Sequence, residues 1–109
     1  MGEDSYGDQL REALNLAGVD TSYVEVVPQT SSGLALITVD ASGENSITIV
    51  PGANGKMRAE HIQAVESELA SADAILMQLE LPLEAVLKAA QTGKRAGKLT
   101  VLDPAPAQE

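Results

Sequence analysis

The chain has 109 residues, with seven Lys and Arg against sixteen Asp and Glu and a net charge of -9. That length allows one domain or part of one, and the acidic balance repels a phosphate backbone and argues against nucleic acid as a partner. There is no Cys, Phe or Trp, so disulfides and thiolate metal sites are out and the core must come from Val, Leu, Ile and Ala. No apolar run approaches the ~18 residues of a membrane span. The acidic segment Met1-Gly2-Glu3-Asp4-Ser5 lacks the basic and apolar regions of an export signal. The expected setting is the cytoplasm, with no membrane partner.

The first predicted element is an amphipathic helix over residues 4–17. Tyr6, Leu10, Ala13, Leu14 and Ala17 form one stripe at helical spacing. Asp4 or Ser5 caps its start, and Gly18 is placed to end it. Tyr23 to Val27 is β-branched and reads as a strand stopped by Pro28. Leu34 to Val39 and Asn45 to Val50 read as two further strands. Asp40-Ala41-Ser42-Gly43-Glu44 joins them as a hairpin loop.

A loop at Pro51 to Gly55 precedes a helix over residues 59–71, with Ile62, Val65, Leu69 and Ala70 inward. Ala74 to Met77 is a continuous apolar run closed by Gln78, Glu80 and Pro82. Such a run reads as a strand buried on both faces. A helix over residues 83–95 follows, with Leu83, Val86, Leu87 and Ala90 as its core face. The last strand is Leu99 to Leu102. The second half is therefore helix, strand, helix, strand, the pattern of a βαβ unit with parallel strands.

Four stretches invite a functional reading. Gly52-Ala53-Asn54-Gly55-Lys56 has two residues between its glycines where a phosphate loop has four, and Met57 follows the Lys. It reads as a turn. His61 is the one histidine and has no partner in the sequence for a triad or metal site. Glu80, with Gln78 beside it, lies at the carboxyl end of a strand, the edge where open α/β sheets bind ligands. Its carboxylate is either an acceptor for the hydroxyls of a sugar-like ligand or a solvated residue at a strand end. Asp103 stands at the mouth of the neighbouring strand, before the stiff Pro104-Ala105-Pro106-Ala107 turn.

Taken together, these stretches resemble the ribokinase family of sugar kinases. Gly2-Glu3-Asp4-Ser5-Tyr6-Gly7 is similar to the family's glycine-acid-acid segment before a helix. Gly18-Val19-Asp20-Thr21 is similar to its helix exit. Ser31-Ser32-Gly33-Leu34 is similar to its Ser-Thr-Gly lid strand, with Ser32 where Thr is commoner. Gly43-Glu44-Asn45 and Gly52-Ala53-Asn54 fit the next lid strand and its exit. Met77-Gln78-Leu79-Glu80 with Pro82, and Asp103-Pro104-Ala105-Pro106-Ala107, are the most specific segments. Asp103 departs from the family's usual Asn.

The resemblance implies an α/β fold: a partial Rossmann-like α/β/α layer over residues 4–18 and 59–107, with a small antiparallel β lid at about residues 23–50. It implies a carbohydrate kinase that passes the γ-phosphate of ATP to the 5-hydroxyl of ribose, using Mg2+ and a monovalent cation. By motif only Glu80 carries over as a sugar-binding residue. The family's Gly-Gly-Lys-Gly-Ala-Asn, Asn-x-x-Glu and Gly-Ala-Gly-Asp segments, with the catalytic base, are absent from these 109 residues. The expectation is a middle fragment, inactive alone, with weak or no binding of ribose or a similar sugar. The alternative expectation is a non-catalytic interaction module, a homo-oligomer formed through the lid strands.

Overall fold

The structure is a computed structural model and describes residues 1–106. Ala107 of the proline-rich turn lies outside them. The chain divides into two compact units, Met1–Asn54 and the stretch from Gly55 onward.

In the first unit, helix α1 spans Ser5–Leu16. Asp4 adopts extended backbone and its Oδ1 accepts from the Gly7 amide at 2.8 Å, satisfying a donor that the first helical turn leaves without a carbonyl. Gly18 follows the helix at φ +78°, in the left-handed region expected past a helix end. The apolar stripe read from the sequence is largely open: Tyr6, Leu10, Ala13 and Ala17 are exposed and Leu14 is half-buried. Gly7 is the residue of α1 that is buried.

Strands β1, Leu34–Val39, and β2, Asn45–Val50, pair antiparallel with Leu34 opposite Val50 and Val39 opposite Asn45. Their turn is built by Asp40. Its Oδ1 accepts from the Ser42 amide at 2.8 Å, the Ser42 hydroxyl at 2.7 Å and the Glu44 amide at 3.0 Å. Gly43 takes φ +87°, which a side chain would oppose. Every residue of both strands is exposed.

The strand expected at Tyr23 to Val27 does not form. Val27 makes a single parallel bridge to Gly2. The Met1 amino group donates to Glu25 O at 2.8 Å, and the Val27 amide donates to Met1 O at 2.9 Å. β propensity alone does not make a strand here: Tyr23 to Val27 contributes one bridge, and its pairing is set by a neighbour distant in sequence.

In the second unit, α2 spans Ala59–Ala64 and α3 Glu66–Ser71. The sequence pattern predicts one helix here. It breaks at Val65, which sits at φ -112°, ψ 21°. Strand β3, Ala74–Gln78, helix α4, Leu83–Arg95, and strand β4, Leu99–Asp103, complete the unit. β3 and β4 pair in parallel, from Ala74 opposite Leu99 to Gln78 opposite Asp103. The parallel βαβ unit and the antiparallel hairpin are the α/β architecture expected.

Helix α4 packs on both strands of the sheet and on α2 and α3. Its buried face is Ala85, Val86, Ala89, Thr92 and Gly93. Leu83 and Leu87, expected inside, are exposed, and Ala90 is half-buried. Small residues win this face because the helix approaches closely. A Cβ on Gly93 would lie 2.4 Å from Thr100 Cγ2 and 2.9 Å from Ile75 Cδ1.

Strand β3 is covered on one face, not two. Ile75 is 5 % exposed beneath α4, whereas Leu76, pointing to the opposite face, is 77 % exposed. Among the described residues, no layer covers that second face. Glu66 ties α3 to α4 through Lys88 Nζ at 3.5 Å and Arg95 Nη2, and accepts from the Thr92 hydroxyl at 3.4 Å.

Candidate functional site

The candidate site is the carboxyl edge of β3 and β4, and its geometry begins with Gly93. Because Gly93 lets α4 settle onto Ile75 and Thr100, both strands are held against one helix. The parallel register then puts Gln78 beside Asp103, with both side chains on the face opposite α4. Gln78 Nε2 donates to Asp103 Oδ2 at 3.2 Å. Just beyond, the Leu79 amide donates to Ala105 O at 3.0 Å, which pins the two strand exits together.

Glu80 lies two residues past the end of β3, in a bend before Pro82 and the first turn of α4. It is exposed, and its carboxylate makes no side-chain hydrogen bond or ion pair among the described residues. The structure therefore brings Gln78 and Asp103 into contact and leaves Glu80 facing solvent on the loop beside them. With the Gln78 amide nitrogen committed to Asp103, its Oε1 joins the two carboxylates as an acceptor. An edge made of acceptors suits a ligand that brings O–H or N–H donors and disfavours an anionic one.

The other sequence candidates have structural roles. Gly52 to Lys56 forms a short 3-10 turn. A Cβ on Gly52 would lie 2.4 Å from Ser31 O, so the glycine serves close backbone approach. His61 is half-buried, and its Nδ1 accepts from the Arg58 amide at 2.9 Å, closing the start of α2. Among the described residues, no group of three or more His, Asp or Glu is placed to hold a metal ion.

Sequence reasoning missed one buried polar cluster. Asp4 appears in the sequence as a cap, but it also accepts from the Ser32 amide at 2.7 Å and the Ser32 hydroxyl at 2.8 Å. These bonds and the Gly7 amide, led by the Ser32 backbone bond, hold the Asp4 carboxyl below its ordinary value. The available signal was Asp4 three residues before Gly7. Nothing local pointed to Ser32, which is 28 residues away.

Comparison with known proteins gives the family. The whole chain, residues 1–109, matches the family described as pfkB family carbohydrate kinase. A ribokinase from Haemophilus influenzae is 42 % identical over 108 residues, which is 99 % of this chain and 35 % of the relative. A deoxyribokinase from Salmonella typhi is 42 % identical over 107 residues, 98 % of this chain and 35 % of the relative. An Arabidopsis thaliana ribokinase solved with ribose and ATP superposes with a TM-score of 0.84 at 34 % identity, over 94 % of this chain and 34 % of that one. The Thermotoga maritima ribokinase gives 0.79 at 35 % identity, over 99 % and 34 %. The chain thus spans about a third of the length of the relatives it matches. The hairpin, the parallel βαβ unit and the full-length sequence match agree, and the chain belongs to the pfkB family of carbohydrate kinases.

Proposed function

We propose that this chain supplies the sugar-facing edge of a pentose kinase, with Glu80 as the residue that accepts hydrogen bonds from the sugar hydroxyls. The single observation behind this reading is the acceptor edge. Glu80 is exposed and uncommitted at the carboxyl end of β3, beside the bonded pair Gln78 and Asp103. A ring hydroxyl is a donor that fits such an edge, and a carboxylate makes the stronger, charge-assisted form of the bond.

The reading stops at a pentose, because a ribokinase and a deoxyribokinase are equally similar to the chain. The reaction is transfer of the γ-phosphate of ATP to a sugar hydroxyl. It is carried out in the company of Mg2+ and a monovalent cation bound by segments outside these 109 residues. The setting is the cytoplasm, where ATP and free sugar meet. By itself the chain turns nothing over. What supports this is that the Asn-x-x-Glu and Gly-Ala-Gly-Asp segments, which the resemblance assigns to phosphate, magnesium and the base, are not among these 109 residues, and phosphoryl transfer depends on such groups.

The test mixes this chain with the complementary N-terminal and C-terminal parts of a ribokinase and follows ATP consumption with ribose. Turnover is expected from the mixture and not from the chain alone. Glu80→Ala should lower kcat/KM by about a hundredfold, the cost of deleting a charged hydrogen bond to substrate. Full activity of the Glu80→Ala mixture removes the assignment of Glu80. Turnover by the chain alone, free of host kinase, removes the claim of inactivity.

One observation favours a second reading, self-association. All residues of β1 and β2 are exposed, including Leu36, Ile37, Val39, Ile47 and Ile49, and among the described residues each strand pairs on one side only. Unpaired edges with apolar side chains recruit further strands. Sedimentation across a hundredfold concentration range separates the readings: a concentration-independent monomer rules out an oligomer through the hairpin.

A further inference from the structure

The first unit contains a buried polar node that sugar recognition does not use. Ser32, 2 % exposed, stands two residues before β1. Its hydroxyl donates to Asp4 Oδ1 at 2.8 Å and accepts from the Gly2 amide at 3.1 Å, while its own amide donates to Asp4 Oδ2 at 2.7 Å. Asp4 Oδ1 also takes the Gly7 amide. One carboxylate thereby joins the start of α1 to the segment that enters the hairpin. From the exit side, the Ala53 amide donates to Ser31 O at 2.8 Å.

The node has no slack. A Cβ on Gly2 would lie 2.1 Å from Ser32 N, one on Gly7 2.2 Å from Gly2 O, and one on Gly52 2.4 Å from Ser31 O. The hairpin is the opposite. Its strands are exposed throughout and, among the described residues, pair with each other alone. Single residues, Gly33 and Pro51, connect it to the fixed segments on either side. Its direction relative to α1 is therefore set at its root.

We propose that Asp4 and Ser32 form a latch that fixes the pitch of the β1–β2 arm: closed, it holds the arm at one angle to α1, and broken, it frees the arm to pivot at Gly33 and Pro51 with both α1 and the hairpin ladder intact. Both are positioning residues, acting through the arm's root. The proposal is independent of the sugar reading.

Amide relaxation and hydrogen exchange on the whole chain test it, with Ser32→Ala and Asp4→Asn as breaking variants and Ser32→Thr as the conservative one. In the breaking variants the order parameters of residues 34–50 should fall together, from about 0.85 to below about 0.6, with β1–β2 cross-strand contacts and α1 helicity unchanged. Exchange of the Gly7 amide should rise about tenfold in Asp4→Asn, as its acceptor weakens. Ser32→Thr keeps the hydroxyl and should keep the wild-type values. An arm that stays rigid in both breaking variants overturns the latch. So does loss of α1 or of the whole fold along with the arm, and so does a Ser32→Thr chain as loose as Ser32→Ala.

Discussion

The two units reach order by different means. In Met1–Asn54 the buried residues are Gly2, Gly7, Ser32 and Ala53, and no large apolar side chain is among them. Among the described residues of the other unit they are Ile75, Ala85, Val86, Ala89, Thr92 and Gly93. A fully buried Ile or Val contributes about 1.5–3 kcal/mol, and a net hydrogen bond about 0.5–1.5. The first unit therefore needs several aligned bonds converging on Asp4, where the second needs two well-covered β-branched side chains and small residues to let them close. Hydrogen bonds demand one geometry, whereas apolar packing tolerates exchange at constant volume. The first unit should fail when backbone is displaced and the second when volume changes.

The most damaging way to probe that difference is Gly2→Ala. Its new methyl meets backbone at Ser31 and Ser32, at 2.3 and 2.1 Å, and neither can rotate away. About 3 kcal/mol of destabilisation is expected, the upper end for overpacking. Exchange protection should vanish over residues 1–54 and persist in β3 and β4, and equal loss in both halves breaks the comparison. The same node titrates. Asp4 lies below its ordinary 3.8 because its folded-state bonds favour the carboxylate. Its contribution is thus complete above about pH 4, the unfolded range, and is lost as pH falls through the lower folded value. Asp20 and Asp40 are lowered in the same direction by their Ser22 and Ser42 turns. The informative measurement is the difference between wild type and Asp4→Asn: the variant should show a flatter acid limb below pH about 4 in the first unit only.

Next in size is Gly93→Ala. The methyl would press on Thr100 Cγ2 and Ile75 Cδ1. Ile75 can turn its terminal methyl, but Thr100, branched at Cβ, has less freedom. Overpacking of about 1–3 kcal/mol is offset by about 1 kcal/mol of helix propensity gained over glycine. A net loss of about 0–2 kcal/mol by denaturant unfolding is expected, confined to the second unit. Gly93→Val should cost more. A stabilised Gly93→Ala chain shows that α4 has room above the sheet, and the close-packing account fails.

What the sequence disclosed follows the same division. Local patterns located α1, α4, the hairpin and the parallel strands to within a residue or two, because caps, turns and apolar runs act over a few positions. They did not locate what depends on distant neighbours. The strand expected at Tyr23 to Val27 is reduced to one bridge, and that bridge depends on Gly2, far away in sequence. The expected two-sided burial of β3 needs a second layer over Leu76, and the inward face of α4 shifted from Leu83 and Leu87 to residues small enough for close approach. At the candidate site, the strand-end position of Glu80 was legible from the run ending at Pro82. The bond between Gln78 and Asp103 was not, because it depends on the register of strands 25 residues apart.

The smallest expected effect is at Arg58 and Glu84, and it sharpens the comparison from within the second unit. Arg58 Nε lies 3.5 Å from Glu84 Oε1, with the two side chains 47 % and 54 % exposed. An ion pair that open to water is worth about 0–0.5 kcal/mol, because solvent screens it and two long side chains must be ordered to make it. Glu84→Ala should therefore leave the unfolding midpoint unchanged. Arg58→Ala should not be silent. Arg58 Nη1 also donates to Met57 O at 2.7 Å and Gly55 O at 3.1 Å, bonds that fold the segment before α2 back on itself. Hydrogen bonds from a charged donor are worth more than the ion pair, about 1.5 kcal/mol at the lower end, and solvent exposure reduces that further. A loss of about 0.5–1 kcal/mol for Arg58→Ala, insensitive to salt and unaltered in the Glu84→Ala background, is the expected outcome. If the two substitutions instead cost the same and are not additive, the ion pair carries the contact. Directional bonding to backbone, assigned here to the hairpin root, would then have no counterpart at the start of α2.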